Sequence, residues 1–245
     1  MNFEQLEQLA AEENTKMMIL CSPHNPVGRV WGREDVEKVC RICAEHDVLL
    51  VSDEIHADLL MKGVKFTSTG PVAGQYGTKV ISCYAPSKTF NMAGLQASAI
   101  IGPDAEARAR FSRQLEMNGT PTLNVFACTA LEAAWTDCEW YIEQAMAYIE
   151  ENMDHAIRFL QEHTPKIKMM KPEGTFLAWL DVRELGMTGE EIKRFFLEEA
   201  KIAVDPGDWF GQAGEGFVRV NFACHRSTLD AALVQLQAAY RKKFT

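Results

Sequence analysis

Residues 16–21 (KMMILC) and 48–53 (VLLVSD) are short apolar runs, and between them Val36, Val39, Cys40 and Cys43 recur at helical spacing. This strand–helix–strand order is the strongest constraint on the fold. Strands that are apolar on both faces need cover on both faces, which parallel sheets with crossover helices provide. Residues 79–84 (KVISCY) and 97–102 (ASAIIG) add two strands, and 104–117 and 122–136 read as helices. Helical patterning persists from 137 to 163, long enough to carry the chain between domains. Beyond Pro165, strands at 175–182 and 216–222 alternate with helices at 189–201 and 227–242, the texture of a small α+β domain. The sequence predicts an α/β fold, with a central, mostly parallel sheet in residues 1–148 and a small α+β domain in 149–245. The boundary falls inside the long helix, because no Pro-, Gly- or Ser-rich linker is present.

Composition excludes several functions. With 47% hydrophobic and 24% charged residues the chain reads as a soluble globular protein. A net charge of −9 repels phosphate backbones, so no nucleic-acid partner is expected. No run of about 18 apolar residues predicts a membrane span, and the acidic, polar start does not resemble a signal peptide. Seven cysteines at irregular spacing point to reduced thiols and a cytoplasmic location. Cys40 and Cys43 form a C-x-x-C pair, but they lie on the apolar stripe of a helix and read as core. The six histidines show no ligand spacing, so no metal is expected. The glycine-rich segment 211–216 precedes a strand and reads as a loop, not a dinucleotide fingerprint. The five tryptophans and eleven methionines fall mostly in apolar patterns and read as core.

Three strands end in polar residues. The first runs into Ser22-Pro23-His24-Asn25-Pro26-Val27-Gly28, the second into Asp53-Glu54-Ile55-His56, the third into Ala85-Pro86-Ser87-Lys88-Thr89. Ligands in open α/β sheets collect where strands finish. Each group also has an ordinary reading: Asn25-Pro26 with Gly28 as a turn, Asp53 as a cap, Lys88 as a surface lysine. Taken singly each ordinary reading is the better one, but jointly they fit less well, since Asp53 is a charge at the end of a mostly apolar run and Lys88 sits between an apolar strand and Phe90.

The string Ser87-Lys88-Thr89-Phe90-Asn91-Met92-Ala93-Gly94-Leu95 resembles the lysine motif of class I/II aminotransferases, the fold-type I pyridoxal 5'-phosphate (PLP) enzymes. Residues 21–31 resemble their Asn-Pro-x-Gly segment, and are closest to the branch of cystathionine β-lyase-like C–S lyases. Residues 52–56 (SDEIH), 172–176 (PEGTF) and 217–222 (FVRVNF) resemble the same branch, in the same order along the chain. The resemblance implies that Lys88 forms the Schiff base with PLP and later moves the substrate α-proton. It implies that Asp53 pairs with the pyridine nitrogen, Asn25 and His56 contact the phenolic oxygen, and Ser87 helps hold the phosphate. Arg219 would grip the substrate α-carboxylate. For Arg219 a solvated strand-edge arginine fits the alternation equally well.

Two positions depart from the family: Ala85 stands where a hydroxyl residue is usual, and Gln96 where an arginine usually binds the phosphate. The family's N-terminal segment has no counterpart here, so the resemblance implies a partial large domain with an apolar sheet face uncovered. Three functions follow from it. The first is a C–S lyase that eliminates thiol from cystathionine or a cysteine-S-conjugate, leaving pyruvate and ammonia. The second is an aminotransferase using the same residues. The third is an inactive or partner-completed fragment. A small amino-acid substrate and a homodimer for the complete protein are also implied.

Overall fold

Each apolar run named above becomes a strand in the structure, a computed structural model that describes residues 1–120 and 122–244. The chain forms two compact units. The first comprises Met1–Pro23 and Val30–Glu143, the second His24–Arg29 and Gln144–Thr245.

In the first unit the order is α1 (Phe3–Ala10), β1 (Met17–Cys21), α2 (Arg33–Glu45), β2 (Leu49–Asp53), α3 (Thr69–Tyr76) and β3 (Val80–Tyr84). A single turn α4 (Pro86–Thr89), β4 (Ala99–Ile101), α5 (Ala105–Met117) and α6 (Val125–Asp137) follow. The sheet order is β1-β2-β3-β4. The first three strands are parallel and β4 is antiparallel to β3. One sheet face carries Leu20, Leu50 and Val80 and packs on Val36, Val39, Cys40 and Cys43 of α2, with Val72 and Ala73 of α3. Cys40 and Cys43 are thus core residues, and burial pushes their thiols up to about 12 and about 11. On the other face Ile19 is 64% exposed and Met17 also meets solvent.

Helix α7 (Glu139–His163) carries the chain from the first unit into the second. It begins after a break at Cys138, so Asp137, expected to open the long helix, closes α6 instead. The second unit adds β5 (Lys168–Met169), β6 (Leu177–Asp181), α8 (Gly189–Arg194), β7 (Asp205–Pro206), β8 (Phe217–Asn221) and α9 (Arg226–Phe244). Its antiparallel sheet has the order β5-β6-β8-β7. Leu180 and Val220 of the sheet, Leu160 of α7, Phe196 and Leu233 of α9 line one apolar pocket. Thr188 and Glu191 close a reciprocal capping box at the start of α8. The helix expected to run to 201 widens into a π-turn at Phe195–Glu199. The adjacent Phe195 and Phe196 are both buried there.

One expectation from the sequence is overturned. No tryptophan is buried: Trp135, Trp140 and Trp209 are exposed, and Trp31 and Trp179 half-buried. Met17, Met117 and Met170 are also exposed. Apolar neighbours along the chain do not distinguish a helix's inner stripe from its outer one, and α6 shows the ambiguity. It is mostly apolar, yet only Ala127 and Ala134 are buried.

Candidate active site

Because β1, β2 and β3 run in parallel, their C-terminal ends share one edge of the first unit's sheet. The pairing Cys21↔Asp53↔Cys83 sets these three side chains in a row on one face. Asp53 is half-buried and its Oδ1 accepts a hydrogen bond from Ile55 N at 3.3 Å. It therefore does cap the turn that follows it. Its Oδ2 has no hydrogen-bond partner among the described residues. Burial, then the charges of Asp53 and Glu54, hold the Cys83 thiol above its ordinary range.

Immediately after Asp53 the side chain alternates inward, and Glu54 is only 1% exposed. A buried carboxylate is costly unless hydrogen-bonded. Ser52 Oγ and Thr69 N each donate to its Oε1 at 2.9 Å, and the Tyr84 hydroxyl donates to its Oε2. Ser68 Oγ lies 2.9 Å from the same phenol. Burial and the Glu54 carboxylate push the Tyr84 phenol up to about 12. This network fastens the end of β2 to the end of β3, the strand that leads to Lys88. His56 is also buried, in the turn after Glu54, where its carbonyl accepts from Leu59 N at 2.9 Å.

Lys88 stands on α4, started by Pro86, whose fixed φ suits the first helical position. Thr89 Oγ1 donates to Asp58 Oδ2 at 3.1 Å, and Phe90 stacks on Tyr141 with ring centroids 5.7 Å apart. Met92 N donates to Ser87 O at 3.0 Å. The turn is thus anchored on both sides of the lysine. Lys88 itself is exposed, Ser87 half-buried, and neither side chain has a polar partner among the described residues. Ala85 is the helix-cap residue and offers no side-chain bond; Gln96 is exposed, with a left-handed backbone.

In the second unit the loop 24–29 closes on itself through the His24↔Arg29 bridge. Gly28 has φ +72°, and a Cβ there would sit 2.2 Å from Pro172 Cβ. Its carbonyl accepts from Glu173 N and Gly174 N, and Arg29 pairs with Glu173 at 2.8 Å. The segments resembling Asn-Pro-x-Gly and Pro-Glu-Gly-Thr-Phe are therefore one interlocked structure. Thr175, buried at φ +72°, uses its Oγ1 to accept from Leu177 N at 3.0 Å. A β-branched residue at positive φ is a genuine outlier.

This loop presents Asn25 to Arg219. Arg219 Nη1 donates to Asn25 Oδ1 at 2.8 Å, and Nε and Nη2 donate to Asp205 Oδ2 at 3.0 and 2.7 Å. The guanidinium carbon lies 4.7 Å from the Phe210 ring centroid. Arg219 is not a freely solvated strand-edge arginine, since its side chain is only 20% exposed. With Oδ1 given to Arg219, the amide of Asn25 keeps both Nδ2 hydrogens for another acceptor.

Glu54, Tyr84, Asp205 and Phe210 were not picked out from the sequence. The only signal for Glu54 is a second acid directly after an apolar strand. Asp205 depends on its register opposite Arg219. Glu7, Glu45 and His46, where α1 meets α2, gather ligand-type atoms within 4.8 Å. His46 and Glu7 pair at 2.5 Å. Exposed acids beside a histidine form an ordinary surface ion pair.

The class I and II aminotransferase model matches residues 1–236. Cystathionine beta-lyase PatB of Bacillus subtilis (strain 168) is 44% identical over 238 residues, which are 97% of this chain and 62% of the relative. Aspartate aminotransferase of Pyrococcus abyssi (strain GE5 / Orsay) is 28% identical over 247 residues, 99% of this chain and 61% of the relative. The structure of cystalysin from Treponema denticola, which contains a pyridoxal 5'-phosphate cofactor, matches with a TM-score of 0.96 at 35% identity. That match covers 99% of this chain and 61% of the other. The chain thus spans less than two thirds of the length of these relatives. Matched from its first residue to its last helix, it belongs to the class I and II aminotransferase family.

Proposed function

We propose that this chain carries PLP-binding and substrate-binding residues of a C–S lyase acting on cystathionine or a cysteine-S-conjugate. The observation that carries the reading is the greater likeness to cystathionine beta-lyase PatB, 44%, than to aspartate aminotransferase, 28%.

The residues fit the cofactor chemically. Lys88 Nζ, Asp53 Oδ2, Asn25 Nδ2 and the Ser87 hydroxyl are without partners among the described residues, and their donor and acceptor types match the groups of PLP. Bound PLP supplies an electron sink for the substrate α-carbon. Lys88 Nζ would hold the cofactor and move the substrate α-proton. Asp53 Oδ2 would keep a proton on the ring nitrogen, and its neighbour Glu54 holds that strand end in register. Asn25 Nδ2 would donate to the phenolic oxygen, with His56 assigned to the same oxygen. Ser87 would donate to the phosphate, with Ala85 and Gln96 supplying neither hydroxyl nor charge. Arg219 would orient the substrate by its α-carboxylate. Residues 1–148 and 149–245 are the large-domain and small-domain parts of this scheme, and a homodimer is proposed for the complete protein. No helix among the described residues is long and apolar enough to cross a membrane.

The test is the visible spectrum of the chain with PLP before and after borohydride, beside Lys88→Ala. A band that borohydride traps in the parent alone supports the cofactor assignment. Thiol and pyruvate from cystathionine then support the lyase, whereas keto-acid exchange without thiol release replaces it with an aminotransferase.

A further inference from the structure

Arg219 has five N–H donors, and three have partners within the second unit: Nε–H and one Nη2–H on Asp205 Oδ2, and one Nη1–H on Asn25 Oδ1. Phe210 covers one face of the guanidinium plane. One hydrogen on Nη1 and one on Nη2 have no partner among the described residues. A carboxylate binds a guanidinium most strongly when two parallel N–H groups meet its two oxygens.

Asp205 is a deliberate part of this arrangement by its position. It lies on β7 directly opposite Arg219 on β8, so the two side chains share a face at cross-strand distance. One oxygen bridges both Nε and Nη2, and Oδ1 has no partner among the described residues. The guanidinium is therefore fixed at one side edge, at Nη1 and on one face.

We propose that Asp205 is a positioning residue for Arg219: it occupies the Nε–Nη2 edge, stays in place when a ligand binds, and leaves one Nη1 and one Nη2 hydrogen to receive the carboxylate of an amino-acid substrate. This rests on the reading of Arg219 as the carboxylate receptor. An acid beside the receptor weakens its attraction for anions, so the benefit of Asp205 is orientation and not charge. Comparing two neutral replacements separates the contributions, since both remove the charge and only Asn keeps an acceptor oxygen for Nε and Nη2.

The experiment uses propionate as the carboxylate probe, with arginine side-chain ¹⁵N–¹H resonances of the full chain followed by NMR. In the parent, saturation with propionate moves the Arg219 Nη resonances and leaves Nε–H at its Asp205-bonded position. Propionate binds Asp205→Asn about tenfold more tightly than Asp205→Ala, as expected for loss of an orienting hydrogen bond to a charged group. Movement of Nε–H to a new position at saturation overturns the proposal by showing that Asp205 is displaced. Equal affinities in the two variants also overturn it. Propionate binding that survives Arg219→Lys unchanged removes the reading of Arg219 as receptor, and the proposal with it. The parent titration requires no substitution, so misfolding of Asp205→Ala does not remove the test.

Discussion

Glu54 in the first unit and Arg219 in the second are both charged groups ringed by polar neighbours, and they differ in how far the ring is closed. Glu54 is almost wholly buried, and both carboxylate oxygens are held by neutral donors from Ser52, Thr69 and Tyr84. Arg219 faces an opposite charge, is a fifth exposed, and keeps two donors available. A closed ring of neutral donors fixes a backbone corner and offers nothing to a ligand. An open ring around a cation leaves donors that a ligand could use, as proposed for Arg219. Within the first unit the same contrast separates neighbours in sequence: Glu54 is fully engaged inside, whereas Asp53 keeps one oxygen free on the opposite side of the strand.

Breaking the closed ring has the largest expected effect. Glu54→Ala leaves a cavity and orphans the Thr69 N–H, while Ser52 and Tyr84 can turn to Thr69 Oγ1 and Ser68 Oγ. The expected loss is about 4 kcal/mol by urea unfolding followed in the far-ultraviolet. Glu54→Gln keeps an acceptor for Ser52 and Thr69 and is expected to lose about 1 kcal/mol. A Glu54→Ala variant as stable as Glu54→Gln would show that the ring is not a structural corner.

The setting of Arg219 in the second unit depends on backbone geometry more than on a closed polar ring. Gly28→Ala places a Cβ against Pro172 and forces a side chain to φ +72°. Its expected cost is about 3 kcal/mol, read from the same unfolding curves. The loop 24–29 should shift as a whole, so the Arg219 Nη1 resonance should move toward its value in Asn25→Ala. An unchanged Nη1 resonance would mean that the loop does not set the position of Asn25.

Tyr84→Phe opens the closed ring at one point and is expected to cost about 1 kcal/mol near neutral pH. The pH dependence is more informative than the size. Tyrosine in an unfolded chain titrates near 10, and Tyr84 in the folded chain is pushed up to about 12. Between those values the unfolded chain has lost a proton that the folded chain keeps. The contribution of this phenol is therefore intact below about pH 10 and disappears as pH rises through about 12. The stability difference between parent and Tyr84→Phe, measured from pH 9 to 12, should shrink accordingly. A difference that is constant across that range would contradict the upward shift of Tyr84 by burial and the Glu54 carboxylate.

Much of the scaffold was legible in the chain because strands β1 to β3 are mostly apolar runs and α2 keeps its apolar residues in one stripe. Lys88, Asp53 and Asn25 could be singled out as candidates because Asp53 closes its run and the other two lie in the short segments just beyond theirs. Asp205 was not, because its meaning comes from a two-residue strand whose pairing with β8 spans residues 205 to 219. Glu54 was passed over for a different reason. The period of a strand places residues 53 and 54 on opposite sides, but only Thr69 and Tyr84, brought in from α3 and β3, show that the inner acid is satisfied. The tryptophans misled because an aromatic residue in an apolar helix can face either way, and α6 and the start of α7 face theirs outward.

The smallest expected effect sharpens the contrast between Asp53 and Glu54. Cys83 pairs with Asp53 across β2 and β3, and its thiol is raised by burial first and then by the charges of Asp53 and Glu54. Asp53→Asn removes the charge with the larger influence on Cys83 while nearly preserving side-chain volume. The thiolate then forms at lower pH, and iodoacetamide alkylates Cys83 faster at a given pH than in the parent. Burial persists, so Cys83 should still react more slowly than the exposed Cys128. Glu54→Gln provides the comparison, because Glu54 is held by hydrogen bonds on the other side of the strand and contributes less to the Cys83 shift. An alkylation rate that responds to Glu54→Gln but not to Asp53→Asn would reverse the assignment, making the inner carboxylate and not the rim carboxylate the charge that Cys83 senses.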